Sequence, residues 1–565
     1  MQNDISRRSF IAGGALGVLG AATIGIAGCA PQPSSPETGA PGGDGKLAAT
    51  SGHSWETTPE PIDESAIADT SEADVIVVGA GISGFSVACS AIDEGLKVIM
   101  IAKGERPAGQ GGSMFGFNSK LCRELGVNPD PGEVLRDLYA VSGYSLDENL
   151  WSIYVKESGV ALDWACDIAR DGGLTPVIAA GDPRDEYDGE HMFLGGENGP
   201  RTDTHPIIDF LPIMEAAYAP KGLDVRYKMC AVSLDKQGDR VTGVVAQDED
   251  GAYHRFTGAK GVVMATGDFA GNPEMLEAWC PMGADEAILN VSPGNTGDGH
   301  ALILQAGGAL EHTAPLAPMV FSNAMGGPSA KVGPDEVRDA YANDPAKLEI
   351  FDCAKEAIFS LNGSKWCLGV TDKGERYGCE QGGFGQRGIQ QVRYGGHSFN
   401  IYDSEWPYHM PEIAGRVGGH VSTGEELAMV MCPEGKGYDT LDELAADFGM
   451  PADTLKATVE RYNALCEAGY DEDFYKPADQ LHPVKTPPFY CDEHTSMLLV
   501  TMGGIRTDSD MHVLNENDEI VEGLYCNGTM AGGMFANSYV TVMPGVNMGR
   551  SLTFGYRLGK HLASL

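Results

Sequence analysis

The glycine-rich stretch Gly79-Ala80-Gly81-Ile82-Ser83-Gly84 has the spacing of a phosphate-binding turn. It follows a short apolar, β-branched run at 73–78, which predicts a buried parallel strand, and it precedes a helical stretch at 85–94. A second strand is predicted at 97–101. Gly81 lets the backbone approach a pyrophosphate, and the start of the helix offers free amides and a positive dipole end. This order of elements indicates a dinucleotide-binding site.

A second stretch with the same spacing, 383–388, has no strand before it, so we predict a loop there. In dinucleotide sites an acid usually ends the second strand and binds the ribose. Here that position is Ala102, which is followed by Lys103. Glu105 could replace the acid, or backbone groups alone could hold the ribose. We therefore expect an unusual ribose contact.

Composition restricts the class of protein. The chain has 565 residues, of which 42% are hydrophobic, so it can bury a large core and is expected to form two or more domains. Its formal charge of −41 argues against a nucleic-acid partner. Its 76 glycines follow no triplet period and are expected in turns and close backbone approaches. The 13 cysteines include no CxxC pair, which disfavours a compact zinc site or attached haem, and no metal is predicted.

Residues 1–29 have the features of an export signal. Arg7-Arg8 precedes a Gly/Ala-rich apolar run too short for a convincing membrane span, which is typical of a twin-arginine signal. The stretch at 26–29 resembles a bacterial lipobox, so Cys29 is expected to carry a lipid anchor; the alternative is a plain cleaved signal with a chance cysteine. Residues 30–72, rich in Pro, Gly and Ser, predict a flexible linker. We expect a lipid-anchored protein at the cell surface or the periplasmic face of the cytoplasmic membrane.

Four further segments carry short motifs of flavin enzymes. Gly109-Gln110-Gly111-Gly112-Ser113 is a glycine-rich loop, and 261–269 is similar to a strand followed by an ATGGF turn. The stretch at 296–300 resembles TGDG, and 523–529 resembles GLYAAGE. By their order and spacing, residues 72–565 resemble the fumarate reductase/3-ketosteroid dehydrogenase superfamily of FAD proteins.

This resemblance implies FAD as the cofactor and an α/β fold with an α+β cap. It implies a doubly wound, Rossmann-like FAD-binding domain built from both chain ends, at 73–318 and 499–565, interrupted by a mobile cap at 319–498. Helical apolar spacing at 440–450 and 452–468 supports the cap. The residues expected to contact FAD are Gly79, Gly81, Ser83, Gly84, Lys103, Gly111, Gly112, Ser113, Ala231, Thr266, Gly267, Asp298, Gly528, Thr529, Gly545, Asn547 and Met548.

The family's dicarboxylate-binding residues are mostly missing. Fumarate reductases use two histidines and two arginines for this purpose. The position of one histidine is Val500, the region of the other reads Ala317-Pro318-Met319-Val320, and 539–545 lacks the matching arginine. A dicarboxylate would leave uncompensated charge in such a pocket. We therefore do not expect fumarate as the substrate.

The predicted proton donor is Arg387, which follows a GxRFxxE-like segment that ends in Glu380. An arginine can donate a proton only if a relay restores it, and Glu380 could belong to that relay. In the alternative, Arg387 is a surface arginine of the cap that pairs with local acids. Tyr377, Tyr394 and Tyr402 are rival donors, for which packing is the simpler explanation.

The C-terminal segments 503–508 and 544–556 resemble 3-ketosteroid Δ1-dehydrogenases, in which a tyrosine and a glycine amide polarise the steroid carbonyl. The glycine is present as Gly545, while the tyrosine position holds Thr541 and Tyr539 lies two residues earlier. Amides here could form an oxyanion-type site for a carbonyl conjugated to a double bond.

The leading hypothesis is an anaerobic respiratory reductase that transfers a hydride from reduced flavin to an activated C=C bond of a small enone or enoate. Because no second nucleotide fold or haem motif is visible, electrons are expected from a separate membrane or periplasmic cytochrome-type carrier. This resembles the exported reductases of anaerobic gut bacteria. Two alternatives stay open, a steroid-type dehydrogenase running in the oxidative direction and a non-catalytic flavin electron-transfer lipoprotein. For Cys353, Cys367 and Cys379, wide spacing favours packing over an iron–sulfur centre.

Overall fold

The apolar run before the glycine-rich turn lies at the centre of the main sheet. In this computed structural model of the protein, strand β1 (Ile67–Val78) pairs in parallel with β2 (Val98–Ile101) on one side and β8 (Tyr253–Met264) on the other. The last four residues of β1 are buried, as expected for a parallel strand between two layers of helices. The predicted strand is confirmed.

The structure describes residues 53–57, 60–109, 114–124, 130–174, 176–178, 198–199, 206–285, 288–290, 292, 294–312, 317–324, 367–380, 384–405, 437–535 and 545–565. Several predictions concern residues outside these ranges: Arg7, Arg8, Cys29, Gly111, Gly112, Ser113, Cys353, Tyr539 and Thr541. Those predictions stay predictions.

The main sheet is mostly parallel. Its other strands are β5 (Asp224–Arg226), β6 (Cys230–Gln237), β7 (Arg240–Gln247), β14 (His512–Leu514) and β15 (Ile520–Cys526). The order is β14-β15-β8-β1-β2-β5, in which only the β14/β15 pair is antiparallel, and β6 and β7 form an antiparallel pair beside β8. The predicted α/β fold with a doubly wound sheet is confirmed.

Helices from the two ends of the chain pack together on this sheet. Helix α1 (Ile82–Asp93) contacts α11 (Val546–Ser564) at two glycines of the latter. A Cβ on Gly555 would lie 2.0 Å from the Ser86 hydroxyl oxygen, and a Cβ on Gly559 would lie 2.6 Å from the Ser90 Cβ. The missing side chains therefore allow the two helices to approach closely, so the C-terminal segment completes the domain that the first strand begins.

A second sheet has the order β10-β13-β12-β11, with β9 beside β13. Its strands are β9 (Leu289–Asn290), β10 (Ala317–Ala324), β11 (Leu368–Val370), β12 (His397–Tyr402) and β13 (Tyr490–Met502). Because β10 begins before the predicted cap (319–498) and β13 ends after it, one sheet crosses both expected boundaries. The boundaries themselves stay predictions.

Three helices accompany the second sheet. The predicted helices at 440–450 and 452–468 are confirmed as α9 (Leu441–Asp447) and α10 (Ala452–Ala468), and a capping box formed by Thr440 and Glu443 begins α9. The loop predicted at 383–388 is wrong, because the structure has helix α8 (Phe384–Val392) there. A buried polar face, formed by Arg387 and Gln391, packs this helix against the second sheet.

The remaining helices and strands are short or peripheral. They are β3 (Val177–Ile178), β4 (Asn198–Gly199), α2 (Lys120–Glu124), α3 (Pro131–Val141), α4 (Glu148–Asp171), α5 (Pro206–Tyr218), α6 (Pro273–Trp279), α7 (Asp298–Gln305) and 3-10 turns at Ser54–Glu56, Glu64–Ala66, Ala219–Lys221, Pro281–Ala284 and Ala478–Gln480. None of the helices in the described ranges has the length and apolar character needed to cross a membrane.

Candidate functional site

The carboxyl ends of four neighbouring strands meet at one edge of the main sheet. After β1, the Gly79 amide donates to the Ile101 carbonyl of β2 at 2.8 Å. The Ala265 amide after β8 donates to the Val78 carbonyl at 2.8 Å, and the Asn527 amide after β15 donates to the Met264 carbonyl at 3.0 Å. In open α/β sheets, ligands bind at this edge. The predicted FAD segments that follow these strands therefore lie side by side.

Two glycines of the glycine-rich turn have no room for a side chain. Gly79 has φ +115°, and a Cβ there would lie 2.2 Å from the Ala265 carbonyl oxygen. A Cβ on Gly84 would lie 1.9 Å from the Gly79 carbonyl oxygen. Gly81 is the N-cap of α1, so the first amides of that helix lie at the edge of the sheet. Backbone amides and a helix dipole are what a pyrophosphate needs.

Residues from the end of the chain contact this turn. A Cβ on Gly528, at φ +92°, would lie 2.7 Å from the Ser83 hydroxyl oxygen, so these two predicted FAD residues are neighbours. The carbonyl of Thr529 accepts a bond from the Gly503 amide at 2.6 Å. On the other side, a Cβ on Gly299 would lie 2.0 Å from the Thr266 hydroxyl. The turns after β8 and β15 and the start of α7 are thus packed around one site.

Lys103 and Asp298, predicted separately, form an ion pair of 3.0 Å, and Lys103 also donates to the Thr296 hydroxyl at 2.8 Å. Glu105, the possible ribose acid, instead pairs with Lys228 at 2.9 Å, and its side chain is 71% exposed. Ala231 lies at the start of β6, two residues after Met229, whose amide bonds the Ala102 carbonyl. Lys103 and Ala231 therefore lie beside the end of β2, as a ribose-side contact requires.

The last group of predicted FAD residues lies at the start of α11. Gly545, at φ +75°, is the N-cap of this helix, and its carbonyl accepts a bond from the Phe115 amide at 3.0 Å. Asn547 accepts a bond from the Arg550 guanidinium at 3.2 Å, and Met548 is partly buried in the core. A second helix N-terminus thus faces residues 114 and 115, which follow the predicted glycine-rich loop.

These observations fit FAD. Gly79 and Gly84 have no room for side chains, two helix N-termini supply amides, and Lys103, paired with Asp298, is a cation beside the end of β2. The residues that would hold FAD are those of the turn and of the four strand ends. Among the described residues, no group of three or more His, Cys, Asp or Glu side chains could hold a metal ion.

Arg387 and Glu380 lie beside the second sheet. Arg387 is 6% exposed, and its Nη2 donates to the Asn400 side-chain oxygen at 3.1 Å and to the Tyr377 hydroxyl at 3.4 Å. Because arginine has no acceptor, the Asn400 oxygen must face it, so the Asn400 amide donates to His494 Nε2 at 2.6 Å. His494 must then be neutral, and burial together with Arg387 lowers its pKa to about 3.

Glu380 pairs with Arg376 and Lys476 and not with Arg387. Its carboxylate accepts two bonds of 2.9 Å from Arg376 and lies 3.4 Å from the Lys476 ammonium. Asp471 completes this buried group by a 2.8 Å pair with Arg376. Burial opposes ionisation of Glu380, but Lys476 and Arg376 outweigh it and lower the pKa of the carboxyl group. Glu380 is therefore a buried anion that accepts bonds from Arg376 and the Gly369 amide and has Lys476 as a second counter-charge.

Arg387 is not a surface arginine, so that alternative is wrong. Its hydrogen bonds go to Asn400 and Tyr377, neither of which lies in a predicted FAD segment. Among the rival donors, Tyr377 is buried and donates to the Ser398 hydroxyl at 3.2 Å, Tyr394 is 50% exposed, and Tyr402 is buried. The catalytic roles of Arg387, Glu380 and Gly545 stay predictions.

Sequence reasoning missed Asp268 and its partners. Asp268 is 3% exposed, and its carboxylate accepts bonds from the side chains of Asn295 and Thr501. The one signal that could have found it is its place in the 261–269 segment, where the ATGGF pattern has a second glycine.

Taken together, the parallel sheet, the glycine-rich turn and the helix N-termini at its carboxyl edge define a dinucleotide-binding α/β protein. Comparison with known proteins gives the particular family. Residues 74–324 and 342–539 match the model of the FAD binding domain family. The chain belongs to this family, and its predicted cofactor, FAD, is confirmed.

Its relatives confirm the predicted type of enzyme, an FAD-binding oxidoreductase. Vinyl phenol reductase of Lactiplantibacillus plantarum is 24% identical over 519 residues, covering 87% of this chain and 96% of the relative. Digoxin reductase of Eggerthella lenta is 25% identical over 617 residues, covering 100% and 98%. The solved structure of 3-ketosteroid-delta4-(5alpha)-dehydrogenase from Rhodococcus jostii has a TM-score of 0.62 at 22% identity and covers 87% of this chain and 97% of its own; it shows the fold alone.

Proposed function

We propose that this protein is an FAD-dependent reductase of an activated C=C bond in a small organic acceptor that is not a dicarboxylate. Two full-length relatives support the reaction, since their names specify reduction of a vinyl phenol and of digoxin. The acceptor would be an enone or enoate, and the electrons would come from a membrane or periplasmic cytochrome-type carrier.

One observation carries the choice of acceptor. Both expected histidine positions fall on paired strands of the second sheet, where Met319 pairs with Val500 and Pro318 pairs with Thr501. None of these four residues carries a charge, and Val500 is 4% exposed. Two carboxylates bound here would lack cations to compensate them, whereas an enone needs none and an enoate brings only one carboxylate.

Bound FAD in its reduced form supplies the hydride in this reaction. The protein's part is to orient the acceptor, to stabilise the negative charge on its carbonyl oxygen and to provide a proton. The start of α11 at Gly545 is suited to the second task, because the first amides of a helix have no partners within it. Tyr539, Arg387 and Glu380 remain the proposed participants in proton transfer.

The test is anaerobic reoxidation. The protein is loaded with FAD and reduced with an artificial donor, and enones, enoates, vinyl phenols and fumarate are added at equal concentration. We expect reoxidation by at least one non-dicarboxylate acceptor, with a product reduced at the C=C bond. Reoxidation by fumarate as fast as by the best acceptor would refute the argument from Val500 and Met319.

The oxidative reaction is tested separately, because this chain has the glycine of the 3-ketosteroid dehydrogenase pattern, Gly545. A saturated ketosteroid added to the oxidised protein should reduce the bound FAD without an external donor if the protein is a dehydrogenase. We expect no bleaching of the flavin absorbance in this arm.

Arg387→Met separates two roles for this residue. If Arg387 is the proton donor, its loss abolishes turnover per FAD-loaded molecule, whatever its effect on the unfolding midpoint. If Arg387 is only a buried partner of Asn400 and Tyr377, its loss lowers the unfolding midpoint and leaves turnover per FAD-loaded molecule unchanged. We expect the first result, in line with the role in proton transfer proposed for Arg387.

We also propose twin-arginine export and lipid anchoring at Cys29, on the residues given above. Replacing Arg7 and Arg8 by Lys should keep the protein in the cytoplasm, and Cys29→Ser should release the exported protein from the membrane fraction. Unchanged membrane association of the Cys29→Ser variant would refute the anchor.

A further inference from the structure

Asp268 is a buried carboxylate that follows two predicted FAD residues, Thr266 and Gly267. Its Oδ1 accepts bonds from the Ala270 amide at 2.8 Å, the Thr501 amide at 3.2 Å and the Thr501 hydroxyl at 3.3 Å. Its Oδ2 accepts a bond from the Asn295 side-chain amide. Four donors from three separate segments therefore meet on one side chain.

Each segment leads directly to a predicted FAD contact. Asn295 precedes Thr296, which bonds both Lys103 and Asp298. Thr501 is followed after Met502 by Gly503, whose amide bonds the Thr529 carbonyl. The segment of Asp268 itself contains Gly267, at φ +85°.

The four donors to Asp268 are uncharged, so its ionised form is held by hydrogen bonds alone. Charge-assisted bonds are roughly twice as strong as neutral ones, and a buried carboxylate without them would be costly. This arrangement links the turn after β8, the start of α7 and the end of β13 more strongly than neutral contacts would.

We propose that Asp268 is a positioning residue of the cofactor site, which holds the segments of Gly267, Asp298 and Thr529 in the arrangement that binds FAD. This inference concerns the FAD site alone and does not depend on which acceptor is reduced.

The test measures the dissociation constant of FAD by quenching of its fluorescence. Asp268→Ala removes all four bonds, and we expect FAD binding to weaken at least tenfold. Asp268→Asn keeps the shape and removes the charge; because Asn295 can turn its own amide to present oxygen, the bonds can re-form as neutral ones, and we expect a smaller loss. The exchange Asp268→Asn with Asn295→Asp restores one carboxylate and one amide, and it should recover most of the affinity.

Asp403 provides the matched control. It is also 3% exposed and its carboxylate accepts bonds from backbone amides, those of Glu405, Lys485 and Thr486, but it lies in no segment with a predicted FAD contact. Asp403→Asn should lower the unfolding midpoint as Asp268→Asn does and leave FAD affinity unchanged.

A pH series adds a readout that simple destabilisation would not move. Burial, opposed by the hydrogen bonds, raises the pKa of Asp268 to about 6, so FAD affinity of the unmodified protein should fall as pH drops through 6. Two of the neighbouring titratable groups stay unchanged between pH 5 and 7, because burial lowers the pKa of His300 to about 4 and raises that of Cys280 to about 12. Burial also raises the pKa of Glu311, whose carboxylate lies beside Gly503, so the contribution of Asp268 is the part of the pH dependence that Asp268→Asn removes. The Asp268→Asn variant should lack this step.

Unchanged FAD affinity in Asp268→Ala, or equal loss of affinity in Asp403→Asn, would overturn the inference. Either result would leave the proposed reductase activity untouched. Conversely, a protein that loses FAD as expected but reduces none of the acceptors would overturn the proposed function alone.

Discussion

His300 should make the folded protein sensitive to mild acid. It is fully buried in α7, with its ring edge-on to Phe269 at 5.2 Å and its Nε2 3.4 Å from the Gly503 carbonyl oxygen. Burial lowers its pKa from 6.5 to about 4. The unfolded chain therefore binds a proton between these values that the folded chain does not, so stability present above pH 6.5 is lost as pH falls towards 4.

The size of this loss follows from the pKa difference. At ~1.36 kcal/mol per pKa unit, the full shift of His300 corresponds to about 3.4 kcal/mol of stability. Because this stability is lost gradually between the two pKa values, about 2 kcal/mol of it is lost by pH 5. His300→Phe keeps a flat ring beside Phe269 and cannot be protonated. In urea unfolding at saturating FAD, the fall in unfolding free energy from pH 7 to pH 5 should be about 2 kcal/mol smaller in this variant.

A second histidine gives a control of opposite sign. Bonding to Asp508 raises the pKa of His512, so His512 contributes stability at low pH that is lost as pH rises. The fall in unfolding free energy from pH 7 to pH 5 should therefore be larger in His512→Gln than in the unmodified protein, whereas it should be smaller in His300→Phe. If both variants keep the pH dependence of the unmodified protein, the reasoning from burial is refuted.

Two further predictions concern the FAD turn and the buried ion group. Gly84→Val should abolish FAD binding, because even a Cβ would lie 1.9 Å from the Gly79 carbonyl oxygen, whereas Gly378→Ala, with no atom within 4 Å of the added carbon, should bind FAD normally; fluorescence titration compares them. Glu380→Gln should lower the free energy of unfolding by roughly 3–5 kcal/mol, because Arg376 and Lys476 would lose a buried counter-charge. A loss below ~1 kcal/mol in urea unfolding would show that Asp471 alone compensates both cations.

The FAD turn was predictable because its signals are local. Strand, glycines and helix follow one another from 73 to 94. The backbone that leaves no space for a Cβ on these glycines lies close in sequence, as for Gly84, or at the next strand end, as for Gly79. Lys103 and Asp298 were each predicted as FAD contacts from a recognisable segment, and these contacts stay predictions. The bond between them was not predicted, because pairing across distant segments depends on how the sheet brings strand ends together.

Asp268 illustrates what local patterns leave out. Its identity is visible as a departure from a glycine pattern, but its meaning depends on Asn295 and Thr501, which come from two other segments. A buried carboxylate is tolerated only where several donors converge. That convergence is a property of the folded chain, so sequence reasoning could notice the residue and not its role.

The position of Arg387 on one face of α8 was also not predictable from local patterns. The motif around Glu380 predicted a role for Arg387, whereas the glycine spacing at 383–388, without a strand before it, predicted a loop where α8 forms. Within a helix, residues four apart share a face, and Arg387 and Gln391 both direct their side chains into the second sheet, to Asn400 and to Ser398. Both side chains are buried, so this face belongs to the core of the second sheet. A catalytic role for Arg387 requires that the acceptor reach this buried face, which the Arg387→Met variant tests by turnover per FAD-loaded molecule.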